Sequence, residues 1–253
     1  MTSGILILHG FAGSPKDIAM LGDHLSQCGY TVSAPVLAGH DASRKALADA
    51  KPPDWIASAE QAAAELRNTC SDIILIGFSM GGLIAVNLCQ RLAIHKMVTI
   101  NTPIFYWNCW QIIKNLARDF FHYGRIYLAA AVEKPFAALL SFLKLLHMSK
   151  PLFASVHCPA LILQTMDDDT VHHKSADFIF RHVQGEKKLI KLQNGGHLVF
   201  YTEEGLRVCA AVEAFVRSQP GGAQGSVGGD AQGGAAGGAQ GGVAGGAQDS
   251  AYF

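Results

Sequence analysis

Short apolar runs alternate with longer segments of helical period along most of the chain, and this alternation restricts the possible folds more than any other feature. Continuous apolar runs are typical of strands buried on both faces, and helices between them are typical of crossovers in a parallel sheet. The sequence therefore predicts an α/β fold with a mostly parallel six-stranded sheet and helices on both faces. The predicted strands are 4–9, 30–35, 72–78, 96–101, 159–165 and 187–192.

The segments between these runs carry helix signals. Ser14 and Pro15 predict an N-cap and a first helical residue, and Gly29 predicts the end of that helix. Pro53 predicts the start of a second helix, which continues to Arg67. Further helices are predicted over 79–91, 173–184 and 203–217.

Residues 101–150 break the alternation. This segment has no strand signal, yet it carries 10 of the chain's 22 aromatic residues. Because it is much longer than an ordinary crossover, we predict a helical cap inserted over the carboxyl edge of the sheet. Its aromatic side chains either line an acyl-chain tunnel or only pack the cap against the sheet, and the sequence leaves both readings open.

The most informative motif is Gly-Phe-Ser-Met-Gly-Gly at 77–82, which follows the third predicted strand and precedes a helical segment. It matches a nucleophile elbow, in which a sharp strand-to-helix turn lifts a Ser hydroxyl above the sheet. Gly77 and Gly81 are expected there because side chains at those positions would collide with the packed strand and helix. The helix N-terminus adds oriented N–H groups and positive potential. Ser79 is therefore the predicted nucleophile.

A Ser hydroxyl needs a base that takes its proton and an acid that orients the base. His197 is the predicted base, because a Gly-rich loop after the last predicted strand can place its imidazole over the sheet edge. The acid is expected from Asp167, Asp168 or Asp169, which follow the fifth predicted strand. Three adjacent carboxylates cannot all face the imidazole, and two of them are expected to form turns or caps. We choose Asp168, with its neighbours as the alternatives.

Acyl transfer also requires two backbone N–H donors for the oxyanion of the tetrahedral intermediate. Met80, the residue after the nucleophile, is the first predicted donor. Phe11 is the second, in the His-Gly-Phe sequence that ends the first predicted strand. The chain thus contains a candidate for every part of a serine hydrolase site.

These motifs resemble the α/β-hydrolase superfamily, and more narrowly its small bacterial carboxylesterases and monoacylglycerol lipases. The resemblance covers about residues 4–217. It is carried by His-Gly-Phe at 9–11, Ala-Gly-His at 38–40, Asp-Trp at 54–55, the motif at 77–82, Asp168 with Val171 three residues on, and Gly-His at 196–197. The Asp-x-x-Val spacing of that family selects Asp168 from the three candidates.

The resemblance implies the strand order 2-1-3-4-5-6, with Ser79 beside the switch between strands 1 and 3, where ligands bind in open parallel sheets. It also implies hydrolysis of carboxylic esters, either short- to medium-chain acyl esters or monoacylglycerols, through an acyl-enzyme on Ser79 and without a metal or an organic cofactor. Two alternatives stay open. One is thioester or C–C bond hydrolysis on the same triad, and the other is a non-hydrolysing ligand-binding protein on the same scaffold.

The charge of the chain limits the classes of partner that it can bind. Without residues 220–253 the net charge is about +2, which argues against a nucleic-acid partner. Six basic and two acidic residues give 101–150 a charge of about +4, so contact of the cap with an anionic membrane surface is an alternative that we do not favour. The expected partner is a small-molecule ester, and the sequence predicts no oligomeric state.

The six cysteines lack metal-ligand spacing and predict small buried side chains in a reducing compartment. We find no export signal at the N-terminus, and basic residues interrupt the most apolar region, 126–148. We therefore expect no membrane span and a cytoplasmic protein.

The last 34 residues hold 13 of the 27 glycines and almost no charge. Such a composition cannot bury enough apolar surface to fold. The predicted organisation is therefore an α/β-hydrolase domain over 1–219, with the cap at about 101–150, followed by a disordered Gly/Ala/Gln-rich tail over 220–253.

Overall fold

The structure is a computed structural model that describes residues 3–41, 43–106, 109–125 and 135–219, with only the backbone described for 109–113. The predicted disorder of the tail over 220–253 lies outside these residues and stays a prediction.

A six-stranded sheet lies at the centre of the described chain. Its strands are β1 (Ser3–Leu8), β2 (Thr31–Ser33), β3 (Asp72–Phe78), β4 (Lys96–Ile100), β5 (Ala160–Thr165) and β6 (Lys187–Leu192). Their order is β2-β1-β3-β4-β5-β6, as predicted, and every neighbouring pair is parallel. All carboxyl ends therefore lie at one edge, so the loops that follow the strands gather there.

The described helices fall largely where the capping signals predict them. They are α1 (Ala19–Gln27), α2 (Arg44–Asp49), α3 (Pro52–Arg67), α4 (Met80–Cys89), α5 (Cys109–Arg118), α6 (Phe136–Ser149), α7 (Lys174–His182) and α8 (Glu204–Arg217). Short 3₁₀ helices cover Pro15–Ile18, Lys150–Ser155 and Val199–Tyr201, and residues 120–125 are also helical. Sequence analysis did not predict α2, because its six residues bury no side chain and so carry no apolar period.

Both faces of the sheet are buried, as predicted for a parallel sheet. Along β1, Leu6 and Leu8 belong to the apolar cluster that includes residues of α3, α4 and α6. Ile5 and Ile7 point the other way and belong to the cluster that includes residues of α1 and α8. The predicted helical layers on both faces are therefore confirmed.

Most of the described part of the insertion after β4 is helical, but residues 101–106 are not, and Tyr106 makes one antiparallel bridge with Val171. One described segment bears on the prediction that the chain has no membrane span, since length and mean hydropathy set the criterion that a membrane-spanning helix must meet. Phe136–Ser155 meets that criterion by length and composition, despite Lys144 and Lys150. One third of the tested window is buried inside the protein, through the core-facing side of α6.

The edge strands differ from the strands between them. β2 has only three residues, whereas all six residues of β5 are buried. None of the residues of β6 is buried, and three of its six are lysines, at positions 187, 188 and 191. The sheet therefore ends on one side in a very short strand and on the other in a basic one.

Candidate active site

The elbow after β3 forms a strained turn. Ser79 has φ 52° and ψ −119°, a conformation that residues other than Gly rarely adopt. It is the N-cap residue of α4, directly after the end of β3. A Cβ on Gly77 would lie 2.3 Å from the backbone N of Gly82, and a Cβ on Gly81 would lie 2.0 Å from the carbonyl oxygen of Leu8. Both glycines are therefore required for steric reasons, as the motif predicts.

Ser79, His197 and Asp168 form one chain of hydrogen bonds. His197 Nε2 lies 3.0 Å from Ser79 Oγ, and His197 Nδ1 lies 2.8 Å from Asp168 Oδ2. Asp168 is completely buried and Ser79 nearly so. When the carboxylate fixes the imidazole proton on Nδ1, Nε2 is left as an acceptor that faces the Ser79 hydroxyl.

The second carboxylate oxygen of Asp168 explains the Asp-x-x-Val spacing. Asp168 Oδ1 accepts the backbone N–H groups of Thr170 and Val171, each at 2.8 Å. These two bonds orient the carboxyl group within a tight turn, so that Oδ2 points at His197. The geometry thus has one buried acid aligned with the imidazole.

The two neighbouring carboxylates, those of Asp167 and Asp169, bind different parts of the chain. Asp167 Oδ1 accepts the backbone N–H of Gly196 at 2.9 Å and thereby holds the loop that carries the histidine. Asp169 Oδ2 accepts from the side-chain amide of Asn115 on α5 at 3.3 Å. One neighbour therefore supports the histidine loop, and the other contacts the insertion.

Sequence analysis missed two residues that hold the histidine loop. Asn101 Nδ2 donates to the carbonyl oxygens of Gly196 and His197 at 3.2 and 3.0 Å, and its Oδ1 accepts the backbone N–H of Thr165 at 2.9 Å. Thr165 Oγ1 donates to the carbonyl oxygen of Gly196 at 2.6 Å. Asn101 is completely buried and has φ 47°, a conformation that Asn adopts more readily than most residues.

The two predicted oxyanion donors flank Ser79. Met80 is the first residue of α4, where a backbone N–H has no acceptor within the helix. The loop that carries Phe11 lies against the nucleophile, since a Cβ on Gly10 would be 3.3 Å from Ser79 Cβ. Neither N–H donates to any residue that the structure describes. Both groups are thus available to a substrate oxygen.

A buried neutral histidine supports the start of this loop. His9 Nδ1 donates to the carbonyl oxygen of Gly10 at 2.9 Å, and its Nε2 accepts the backbone N–H of Leu37 at 3.2 Å. His9 is completely buried, and this burial lowers the pKa of His9 to about 4. The imidazole is therefore neutral near pH 7 and joins the loops after β1 and β2.

A second histidine, His40, makes the same kind of contacts with the next part of the loop that carries Phe11. His40 Nδ1 donates to the carbonyl oxygen of Ala38 at 3.1 Å, and its Nε2 accepts the backbone N–H of Ala12 at 3.2 Å. Burial lowers the pKa of His40 as well. Because Ala12 follows Phe11 directly, this bond fixes the backbone that carries one predicted oxyanion donor. The Ala-Gly-His motif at 38–40 thus holds the loop that carries Phe11.

Aromatic side chains surround Phe11. Its ring stacks on Phe142 of α6 with centroids 5.1 Å apart, and Phe142 in turn contacts Tyr106 at 4.9 Å. Phe142 is almost fully buried, so it packs the insertion against the sheet. Trp107, the side chain of Trp110, and Tyr127 lie outside the described residues. The idea that the insertion lines a tunnel therefore stays a prediction.

Comparison with known families identifies the fold. A family model described as the alpha/beta hydrolase family matches residues 5–212. This chain belongs to the α/β-hydrolase family. The match covers β1 to β6 and most of α8, and so it includes all the elements that carry the site described above.

Two relatives of this α/β-hydrolase have assigned activities. It is 30% identical over 212 residues to the thermostable monoacylglycerol lipase of Bacillus sp. (strain H-257), covering 77% of this chain and 82% of that protein. It is 24% identical over 212 residues to a carboxylesterase of Bacillus subtilis (strain 168), covering 79% and 86%. The α/β-hydrolase described here is therefore an enzyme of the lipase and esterase type.

Solved structures give the same fold. One from a study of LipS and LipT, two metagenome-derived lipolytic enzymes, aligns with a TM-score of 0.72 at 23% identity, covering 85% of this chain and 93% of that chain. A soluble variant of monoglyceride lipase from Saccharomyces cerevisiae aligns with a TM-score of 0.67 at 17% identity, covering 86% of both chains. At these identities the likeness supports the architecture alone.

Proposed function

We propose that this α/β-hydrolase cleaves carboxylic esters through an acyl-enzyme on Ser79. The observation that carries the proposal is the hydrogen-bonded chain from Ser79 Oγ through His197 to the buried Asp168, with distances of 3.0 and 2.8 Å. Such a chain allows a neutral imidazole to take the hydroxyl proton as the oxygen attacks a carbonyl carbon.

In the first half-reaction, Ser79 Oγ bonds to the ester carbonyl carbon while His197 Nε2 takes the Ser79 proton. The carbonyl oxygen becomes an oxyanion, which accepts hydrogen bonds from the N–H groups of Phe11 and Met80. Collapse of this intermediate breaks the bond to the alcohol oxygen, and His197 gives its proton to the departing alcohol. The acyl group is then an ester of Ser79.

In the second half-reaction, a water molecule attacks the acyl-enzyme while His197 takes one of its protons. The bond to Ser79 Oγ breaks, the proton returns to that oxygen, and the carboxylic acid leaves. Asp168 keeps the imidazole in one tautomer and stabilises its positive charge in both half-reactions. These steps use only side chains and backbone groups described above.

Short- to medium-chain acyl esters or monoacylglycerols are the proposed substrates. Support comes from the names of the two relatives, a monoacylglycerol lipase and a carboxylesterase. The aromatic rings of Phe11 and Tyr106, next to the predicted oxyanion donor, add an apolar surface that suits an acyl chain.

Covalent labelling with a fluorophosphonate, followed by peptide mapping, tests the nucleophile directly. We expect the label on Ser79 in the native protein and a loss of ester turnover by several orders of magnitude in Ser79→Ala. Ser26→Ala, a change at an exposed serine on α1, is the matched control and should retain full activity. Near-native turnover in Ser79→Ala would refute the mechanism.

A substrate panel separates the proposal from its alternatives. We expect p-nitrophenyl esters of graded chain length and monoacylglycerols to be hydrolysed faster than acyl-CoA thioesters. A preference for thioesters would favour the alternative of thioester hydrolysis on the same triad. Stoichiometric binding without turnover would favour a ligand-binding role.

The cytoplasmic location and the alternative of membrane contact by residues 101–150 stay predictions. Co-sedimentation with anionic vesicles at low and high salt tests the second, because electrostatic attachment of a basic surface weakens as salt rises.

A further inference from the structure

Three metal-ligating side chains meet between the first and last helices, outside the active site. Among the described residues, His24, Cys28 and Glu213 bring one ligand atom each within 4.8 Å of one another. His24 Nε2 lies 2.8 Å from Glu213 Oε2, and Cys28 Sγ lies within 4.8 Å of the ligand atoms of both side chains. The three side chains are partly exposed, so a solvated ion can reach them.

The helical geometry sets this cluster up. His24 and Cys28 are four residues apart, and the Cys28 N–H donates to the carbonyl oxygen of His24 at 3.1 Å, so their side chains share one face of α1. Glu213 comes from α8, 189 residues later, and α8 packs against α1. No local motif contains all three ligands, which is why the sequence predicted no metal site.

The cluster lies at the opposite end of the sheet from Ser79. α1 begins after β1 and returns to the start of β2, with Cys28 as its C-cap, so the cluster belongs to the amino edge. The end of α8 lies at the same edge, because Lys96 at the start of β4 donates to the carbonyl oxygens of Phe215 and Val216. An ion bound there would not contact the triad.

We propose that His24, Cys28 and Glu213 form a binding site for a zinc-type transition-metal dication, with water as the fourth ligand. Imidazole, thiolate and carboxylate are a donor set that suits tetrahedral Zn²⁺ at about 2.0–2.3 Å, and it lacks the several oxygens that Mg²⁺ and Ca²⁺ prefer. On binding, the Cys28 thiol loses its proton to solvent, and the imidazole proton that His24 Nε2 donates to Glu213 moves through solvent to Nδ1, so that the lone pair of Nε2 faces the ion. The hydrogen bond between His24 and Glu213 then opens by about half an ångström, since ligands of one zinc ion lie about 3.4 Å apart.

A neighbouring arginine orients the carboxylate. Arg217 pairs with Glu213 Oε1, which leaves Oε2 directed toward His24. Partners of this kind commonly fix the orientation of metal-ligating side chains. The bound ion would join α1 to α8, and because only the folded chain brings the ligands together, binding would raise the thermal stability of the protein.

Titration of the chelator-treated full-length protein tests this site. With Co²⁺ as the probe, we expect one equivalent to bind with a thiolate-to-cobalt charge-transfer absorption, and Zn²⁺ to displace it. Zn²⁺ should raise Tm, whereas Mg²⁺ at the same concentration should not. The readout does not depend on hydrolytic activity, which we expect to be equal in the stripped and zinc-loaded enzyme.

Variants locate the ion. Cys28→Ser should abolish the charge-transfer band, and Cys28→Ser and Glu213→Gln should each weaken Zn²⁺ binding by about tenfold or more. Glu203→Gln, at an exposed glutamate next to α8, is the matched control and should bind Zn²⁺ like the native chain. Absence of Zn²⁺ binding by the stripped native protein would overturn the proposal, as would native affinity in both cluster variants.

Discussion

The histidine loop and the oxyanion loop lie at the same edge of the sheet, yet different chemistry holds each of them. In the loop that carries His197, the carbonyl groups accept from the amide of Asn101 and the hydroxyl of Thr165, and the Gly196 N–H donates to the carboxylate of Asp167. The loop that carries Phe11 is held through the ring nitrogens of His9 and His40, which accept backbone N–H groups. The amide and the hydroxyl do not titrate, whereas the ring nitrogens of the second set accept a hydrogen only while the imidazoles are neutral.

This difference predicts how acid affects the hydrogen bonds that hold each of the two loops. Acid leaves the three hydrogen bonds to the carbonyls of the His197 loop intact, because an amide and a hydroxyl keep the same donors and acceptors across the working pH range. Protonation of His9 or His40 turns an acceptor into a donor that faces another donor. Acid should therefore displace the predicted oxyanion donors without breaking the bonds that Asn101 and Thr165 make to the His197 loop.

Removal of the Asn101 side chain should have the largest effect. We expect Asn101→Gly to lower kcat about 100-fold, because the change removes the amide bonds to both carbonyls of the His197 loop and leaves the His197 carbonyl without either support, and small displacements of a catalytic group cost about this much. Glycine keeps the positive φ at this position, so that the loss reflects the side chain alone. Steady-state kinetics at pH 7 measures the effect.

Asn87→Ala is the matched control for that variant. Asn87 is also buried, but its amide donates to Leu83 and Ser149. Its loss should reduce stability and leave kcat close to the native value. Equal losses of kcat in both variants would mean that Asn101 acts only through the stability of the fold.

Acid should destabilise the fold through His9. Its pKa lies near 4 in the folded protein and near 6.5 in the unfolded chain, so the unfolded state binds more protons between these values. The stabilisation that depends on neutral His9 is complete above pH 6.5 and is lost as pH falls toward 4, by about 2–3 kcal/mol. Urea unfolding at pH 7 and pH 4.5 measures it. His9→Gln, which keeps an acceptor but does not titrate, should show a shallower loss.

Removal of the acceptor at His40 should act mainly on turnover. We expect His40→Phe to lower kcat about tenfold with little change in KM, since loss of a whole oxyanion donor costs about 100-fold or more and this change only loosens one. His40→Gln supplies an amide oxygen to the Ala12 N–H and should recover part of the rate. A rise in KM with an unchanged kcat would assign His40 to substrate binding instead.

Removal of the Thr165 hydroxyl should have the smallest effect. Thr165→Val keeps the shape of the side chain and removes one of the three bonds to the carbonyls of the histidine loop. We expect kcat to fall about fivefold, since a single neutral hydrogen bond contributes about 1 kcal/mol. The pH dependence of that rate should match the native enzyme, in contrast to the histidine variants.

Local signals predicted much of this molecule. The strands and the Ser79 turn follow from apolar runs and glycine spacing, which can be read within a few residues, whereas the strand order was implied by the family resemblance. Asp168 was chosen from its neighbours by a family spacing, and the bonds from Thr170 and Val171 now give a physical reason for that choice.

The features of the site that the sequence did not predict depend on residues that are distant from one another in the sequence. Asn101 contacts residues 64 to 96 positions away, and His40 lies 28 positions from the Ala12 N–H that it accepts. The cysteines were predicted to be buried, yet Cys28, Cys89 and Cys158 are partly exposed. Cys28 and Cys89 lie at the ends of helices, and Cys158 lies in the turn before β5. Such contacts depend on how the helices and loops pack, which no local pattern specifies.

The two edge strands have a consequence for behaviour at high concentration. An exposed strand edge can pair with the edge of another molecule and so begin aggregation. Here β2 offers only three residues to such a partner, and β6 would bring its lysines against those of a second copy. Both edges therefore oppose strand-to-strand association, and replacing the lysines of β6 with uncharged residues should make the enzyme more prone to aggregate while leaving its active site untouched.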